Sequence, residues 1–276
     1  MLLGSLEWFR EESKTDYNKW LNEMIENRRE HFLNWFAPDK LLEMDKSTLL
    51  IRVFSPKETS MIRMLMYDSD CRWFGAPGTY AYAGILYYDQ SRSTWKYKKG
   101  QSPVSVSREK AEELALYLRK QLLYCVRCIS DIGVFHSVAD YQRLQSKLSS
   151  VFFSQYAWTL KYYQMLYPEY FPSMYTDHTI NRAIQILGLP DHENKLLNAG
   201  EISLFIRRCN INNIVFGSIY GTQWGWEKDY PECEAAENNF RRSFQPVKEL
   251  DVSMYRTPQS EGKCKIEKVN LAREPL

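Results

Sequence analysis

The stretch from Arg108 to Ile132 constrains this chain most. Apolar residues return at Ala111, Leu114, Ala115, Leu118, Leu122, Cys125 and Ile129. Steps of three and four lay these side chains along one face of an α-helix. Ser107 can accept from the free amides of the first turn, and Glu109 sits where the helix dipole favours negative charge. Gly133 closes the run, as glycine does at helix ends.

A second amphipathic helix is expected from Tyr17 to Phe36, with Tyr17, Trp20, Met24, Phe32, Trp35 and Phe36 on its apolar side. Asp16 or Thr15 could cap it, and Ala37-Pro38 ends it. A further short helix is expected over 38–50. Met61–Tyr67 is a short apolar run, and Gly75-Ala-Pro-Gly78 reads as a turn. From Tyr80 to Tyr88 both alternating faces are apolar, which suits a covered strand. Asp89–Ser93 is the loop of a hairpin and Thr94–Lys98 the returning strand. Strand parity puts Trp95 and Tyr97 on one face and Thr94, Lys96 and Lys98 on the other. Beyond Gly133 short helices follow: 137–148, 155–167, 177–187, 201–209 and 213–220. The expected class is therefore α+β. A mixed N-terminal part with a small antiparallel sheet and long helices (1–133) precedes an all-helical part (134–243), and a tail or linker takes 244–276.

Composition narrows the functional classes. Hydrophobic residues make up 44% and charged residues 25%, which argues against wholesale disorder. The formal net charge is only +2, so any nucleic-acid site must be a local patch. Between Met61 and Ser130 eleven basic residues face six acidic ones, a net +5, and this region is the expected DNA-facing part. Six cysteines, at 71, 125, 128, 209, 233 and 264, are scattered and read as free thiols of a reducing compartment. The start of the chain has no secretory pattern. The longest uncharged apolar run, Tyr80–Tyr88, is about half the roughly 20 residues of a membrane helix. A cytoplasmic protein with no membrane partner is expected.

No pattern of catalytic residues stands out. Cys125-Val-Arg-Cys128 lies inside the long helix, without a second pair and with His136 as the only near candidate to complete a zinc site. His31, His136, His178 and His192 are far apart. Gly217-Ser-Ile-Tyr-Gly221 has the wrong spacing for a nucleophile elbow, and no phosphate-cradling glycine loop is present. No catalytic residue, metal or cofactor is expected, and the chain reads as a binding protein.

Two segments could bind. Arg92-Ser-Thr-Trp95-Lys96-Tyr97-Lys98-Lys99 interleaves cations, which suit phosphates, with rings, which suit bases. The competing reading is a solvated strand face, with Lys96 and Lys98 outward and Trp95 and Tyr97 inward. Trp224 and Trp226, beside Gly225, could form an aromatic platform or plug the core.

Three stretches together carry a family resemblance. One runs from Gly78 to Tyr88, then Trp95 and the helix start at Arg108. Another runs from Lys161 to Phe171 and on through Ile184-Gln-Ile-Leu-Gly188-Leu-Pro190. The third is Asn27–Phe36. Over roughly residues 15 to 225 they resemble the N-terminal regions ahead of the AAA+ motor in McrB-like, modification-dependent restriction proteins. The resemblance implies a specificity module that reads DNA, often at a modified base, and works with an AAA+ motor or nuclease subunit. It transfers no catalytic residue. An adaptor that recruits such a partner through protein contacts is the alternative.

Overall fold

In the computed structural model the first turns follow from their caps. Thr15 Oγ1 accepts from the Asn18 amide and starts helix α2 (Asp16–Phe36) behind a short helix α1 (Leu6–Glu12). Pro38 lacks an amide proton, so it ends α2 and occupies the first turn of α3 (Pro38–Glu43). The single helix expected over 38–50 is two. Asp45 accepts from the amides of Ser47 and Thr48 and starts α4 (Lys46–Phe54). The structure describes residues 5–57, 59–67, 71–75, 85–98 and 102–224.

The apolar run Met61–Tyr67 is helical (α5), followed by one 3₁₀ turn, Cys71–Phe74. Strands β1 (Leu86–Asp89), β2 (Thr94–Tyr97) and β3 (Val104–Val106) form an antiparallel sheet in the order β1-β2-β3. The hairpin expected at Asp89–Ser93 is present, with Asp89 opposite Thr94 and Tyr88 opposite Trp95. The part of the expected first strand before Gly84 lies outside the described residues. Helix α6 (Arg108–Ile132) has the expected ends, with Ser107 as cap and Gly133 at φ +74°. It packs on α4 and carries the sheet. Near its middle, Arg119 gathers the carbonyls of Leu41 and Met44, at 3.0 and 2.7 Å, and closes the C-terminal end of α3.

Helices α7 (Val138–Leu148), α8 (Ala157–Leu166), α9 (Asp177–Leu187), α10 (Lys195–Cys209) and α11 (Asn213–Trp224) complete the described fold. The fold is α+β, mostly helical with one small antiparallel sheet. Helix α10 starts six residues before the expected position. Asn194 caps it, and Gly200 lets the buried Tyr141 ring lie against the helix backbone.

The boundary expected at Gly133 does not separate two cores. Met1–Trp224 forms one compact unit. The reason is that α8 and the loop after it insert among N-terminal elements. Tyr162 donates to the Phe36 carbonyl at 2.8 Å, Lys161 to the Gly75 carbonyl at 2.7 Å, and Tyr175 to the Phe74 carbonyl. The expected tail, 244–276, lies outside the described residues. Among those described, no helix is long and apolar enough to cross a membrane.

Asp140 gives this fold one testable pH dependence. Its carboxylate accepts from the amides of His136 (2.8 Å) and Ser137 (2.9 Å) at the start of α7, with Arg143 at 2.7 Å. These contacts, the His136 amide first, hold its pKa below the ordinary carboxylate range. The stabilisation is therefore complete above that range and is lost as pH falls through the lowered pKa. Asp140→Ala should lower stability by about 1 kcal/mol at neutral pH. In chemical unfolding the gap to the wild type should narrow as pH drops below about 4.

Candidate nucleic-acid interface

The hairpin turn is built around Asp89. Its Oδ1 accepts from the Ser91 amide (3.1 Å), the Ser91 hydroxyl (2.6 Å) and the Arg92 amide (3.3 Å). Asp89 therefore titrates below its ordinary range, chiefly through the Ser91 hydroxyl. Ser93 takes up the left-handed backbone, φ +49°, that leads into β2. The result is an ordered turn whose four residues, Gln90, Ser91, Arg92 and Ser93, are all exposed and all polar. The Arg92 side chain is 74% exposed, with its Nε 4.0 Å from Asp89. Sequence reading selected Arg92 and missed Gln90. The signal was the Asp-x-Ser spacing, which fixes such turns.

Trp95 is buried, as strand alternation led us to expect, and packs edge-on against Tyr88 with ring centroids 5.3 Å apart. Tyr97 is half-buried. Burial, and then the neighbouring Tyr117 of α6, raise its phenol pKa. The buried Trp95 ring is not presented for stacking on a base.

Lys96 corrects the sequence reading. It is not an outward, solvated cation but only 7% exposed, and its Nζ lies 2.7 Å from Ser105 Oγ. The cause is β3, a strand too short to be recognised in sequence. It makes β2 the central strand, so Lys96 sits between Tyr87 and Ser105 on its neighbours. Lys98 is half-exposed at the far end of β2. Lys99 lies outside the described residues.

The basic excess of this region is uneven. At the start of α6, Arg108 (3.3 Å) and Lys46 (3.5 Å) flank Glu112, and Lys110 meets Glu113 at 2.8 Å. These cations are largely neutralised. What the hairpin offers a polyanion is Arg92 at its tip and Lys98 at its base.

Trp224 is the last residue of α11, not a loop platform. Its ring packs on Tyr220, Trp8 and Phe9, with centroids 5.2, 5.7 and 6.0 Å away, and its carbonyl accepts from Arg182. It closes the core between α1 and α11. Trp226 lies outside the described residues.

Cys125 and Cys128 are buried in α6 with free thiols, and burial pushes Cys125 up to about 11. At neutral pH that thiol is protonated and unreactive. Among the described residues no group of three or more His, Cys, Asp and Glu comes together to hold a metal ion.

Fold and site together define a class: an α+β protein whose small sheet projects an ordered polar hairpin from a helical body. Compared with known proteins, the chain matches no family model, no curated protein and no solved structure.

Proposed function

We propose that this chain is a non-catalytic DNA-recognition module of a cytoplasmic, modification-dependent restriction or antiphage system. It would deliver a bound site, such as one with a modified base, to an AAA+ motor or nuclease subunit. One observation carries the reading: the ordered, exposed hairpin tip that carries both Gln90 and Arg92. A two-stranded ribbon fits the major groove. Arg pairs with the guanine edge and Gln with the adenine edge through paired hydrogen bonds. The resemblance to McrB-like N-terminal regions supports the same reading. A modified base, if it is read, must leave the stack, at a cost of a few kcal/mol.

The test is fluorescence anisotropy on matched duplexes, unmodified or carrying methylated or hydroxymethylated cytosine or methylated adenine, at two salt concentrations. Arg92→Ala should weaken specific binding by about 1–3 kcal/mol. Lys96→Met should change it little, because that amine is engaged with Ser105. If the wild-type chain binds none of the duplexes at low salt, the reading fails.

A second reading, a protein–protein adaptor, draws on a different face. Trp20, Trp35 and Leu42 of α2 and α3 are 37%, 39% and 62% exposed. Arg52 lies over the Trp35 ring at 4.2 Å. Salt-insensitive capture of a motor subunit that is lost in Trp35→Ala, without DNA binding, would favour it.

A further inference from the structure

Between Leu114 and Ser130, α6 carries three cations, Arg119, Lys120 and Arg127, and no carboxylate. Arg119 turns inward to the end of α3. Lys120 and Arg127 remain exposed. Beside them along α6 stand two of the most exposed large rings among the described residues, Tyr117 (46%) and Tyr124 (42%). Positions 117, 120, 124 and 127 follow steps of three and four, so they form one stripe on the helix. Read along it, the order is ring, cation, ring, cation, over about 15 Å.

Along the helix the stripe is bounded by Glu113, which pairs with Lys110, and by Asp131. Tyr117 adjoins Tyr97 of β2. The Tyr124 hydroxyl donates to the Lys147 carbonyl at 3.2 Å, where α7 ends with an exposed lysine. The ion pairs of this region lie elsewhere, at the start of α6 and between Arg143 and Asp140. Among the described residues none involves Lys98, Lys120, Arg127 or Lys147.

Unpaired cations attract a polyanion, and exposed rings between them offer faces on which unstacked bases can lie. A closed duplex presents no free base faces, so the rings select an opened strand. We propose that this face of α6, with Lys147 beside Tyr124, binds single-stranded DNA. The strand would be the one released beside the duplex that the hairpin engages. The inference rests on the DNA-recognition reading above and extends it to a second surface.

The experiment measures binding of the full chain to a single-stranded oligonucleotide and to a matched duplex across a salt series. The variants are Lys120→Ala/Arg127→Ala, Tyr117→Leu/Tyr124→Leu and Arg92→Ala. All the changed residues are exposed, and matching thermal melts will verify folding. The charge pair should lower single-strand affinity about ten-fold or more and flatten the log–log salt slope by about 1.4, two phosphates at 0.7 each. The ring pair should weaken it about ten-fold or more with the slope unchanged. Unchanged single-strand binding in both double variants would overturn the inference and point this face toward a protein partner. If Arg92→Ala still weakened duplex binding in that case, the hairpin reading would stand alone. Loss with the α6 variants but not with Arg92→Ala would retain the α6 surface and remove the hairpin. Failure of the wild type to bind either probe at low salt would overturn both.

Discussion

Gly75→Ala should lower the midpoint of thermal unfolding by about 6–12 °C, from a loss of about 3 kcal/mol in a unit of this size. Two costs add. Gly75 has φ +82°, a backbone region that side chains with a Cβ enter at about 1–2 kcal/mol. The added Cβ would also fall far inside van der Waals contact with the Ser173 carbonyl oxygen and 3.2 Å from the Tyr175 ring. Neither neighbour can step aside. Tyr175 is fully buried with its hydroxyl on the Phe74 carbonyl, and Ser173 is tied through its hydroxyl to the Asn213 carbonyl at 3.2 Å. Gly133 separates the two costs. It has φ +74° but no atom within 4 Å of its added Cβ. Gly133→Ala should therefore show only the backbone part, about 1–2 kcal/mol. Equal losses at the two glycines would mean that the loop 168–176 is not locked against Gly75.

Lys161→Ala should cost about 3–5 kcal/mol, read as a shift of the urea midpoint with unchanged slope. Lys161 is completely buried and donates to the Gly75 carbonyl at 2.7 Å. Alanine removes the packed methylenes, at about 0.8 kcal/mol each, and leaves a part-buried carbonyl without this donor, at about 1–3 kcal/mol. Lys161→Met restores most of the volume but not the donor, so it should recover roughly half of the loss. Equal stability of the methionine variant and the wild type would show that the amine contributes nothing and that Lys161 acts only as filler. Both substitutions act on the same junction, where α8 and the loop after it meet residues 74–75. That junction joins the two halves of the sequence into one core.

Local rules explain which features were legible beforehand. The ends of α6 were readable because Ser107, Gly133 and a seven-residue apolar stripe act within a few residues of one another. The same holds for α9, where Thr176 and Gly188 mark both ends. The hairpin was readable because Asp89–Ser93 supplies its own hydrogen bonds. Helix α1 was not anticipated. Its seven residues are held by Phe9 stacking on Phe216 at 4.8 Å, a contact across more than 200 positions. Lys161 was unreadable for the same reason. On a helix of mixed polarity it resembles a surface cation, yet α8 is buried from Trp158 to Met165 on every side.

The candidate site divides in the same way. Cations and rings at residues 92–98 were visible in the sequence, but which of them faces solvent was not. Strand parity alone sent Lys96 outward, whereas a third strand of only three residues covers it. Arg92 keeps its exposure because the turn that presents it is made by its neighbours. The α6 stripe was hidden in a different way. Tyr117, Lys120, Tyr124 and Arg127 are unremarkable as letters, and only the packing of α4, α7 and the sheet on the other sides of the helix leaves this face open. The sequence by itself determined where helices start and stop and that a hairpin forms, because caps, turns and apolar periodicity act over short separations. The tertiary structure alone decided which polar side chains are buried and which cations remain unpaired. Those outcomes depend on partners far apart along the chain, and local spacing carries no record of them.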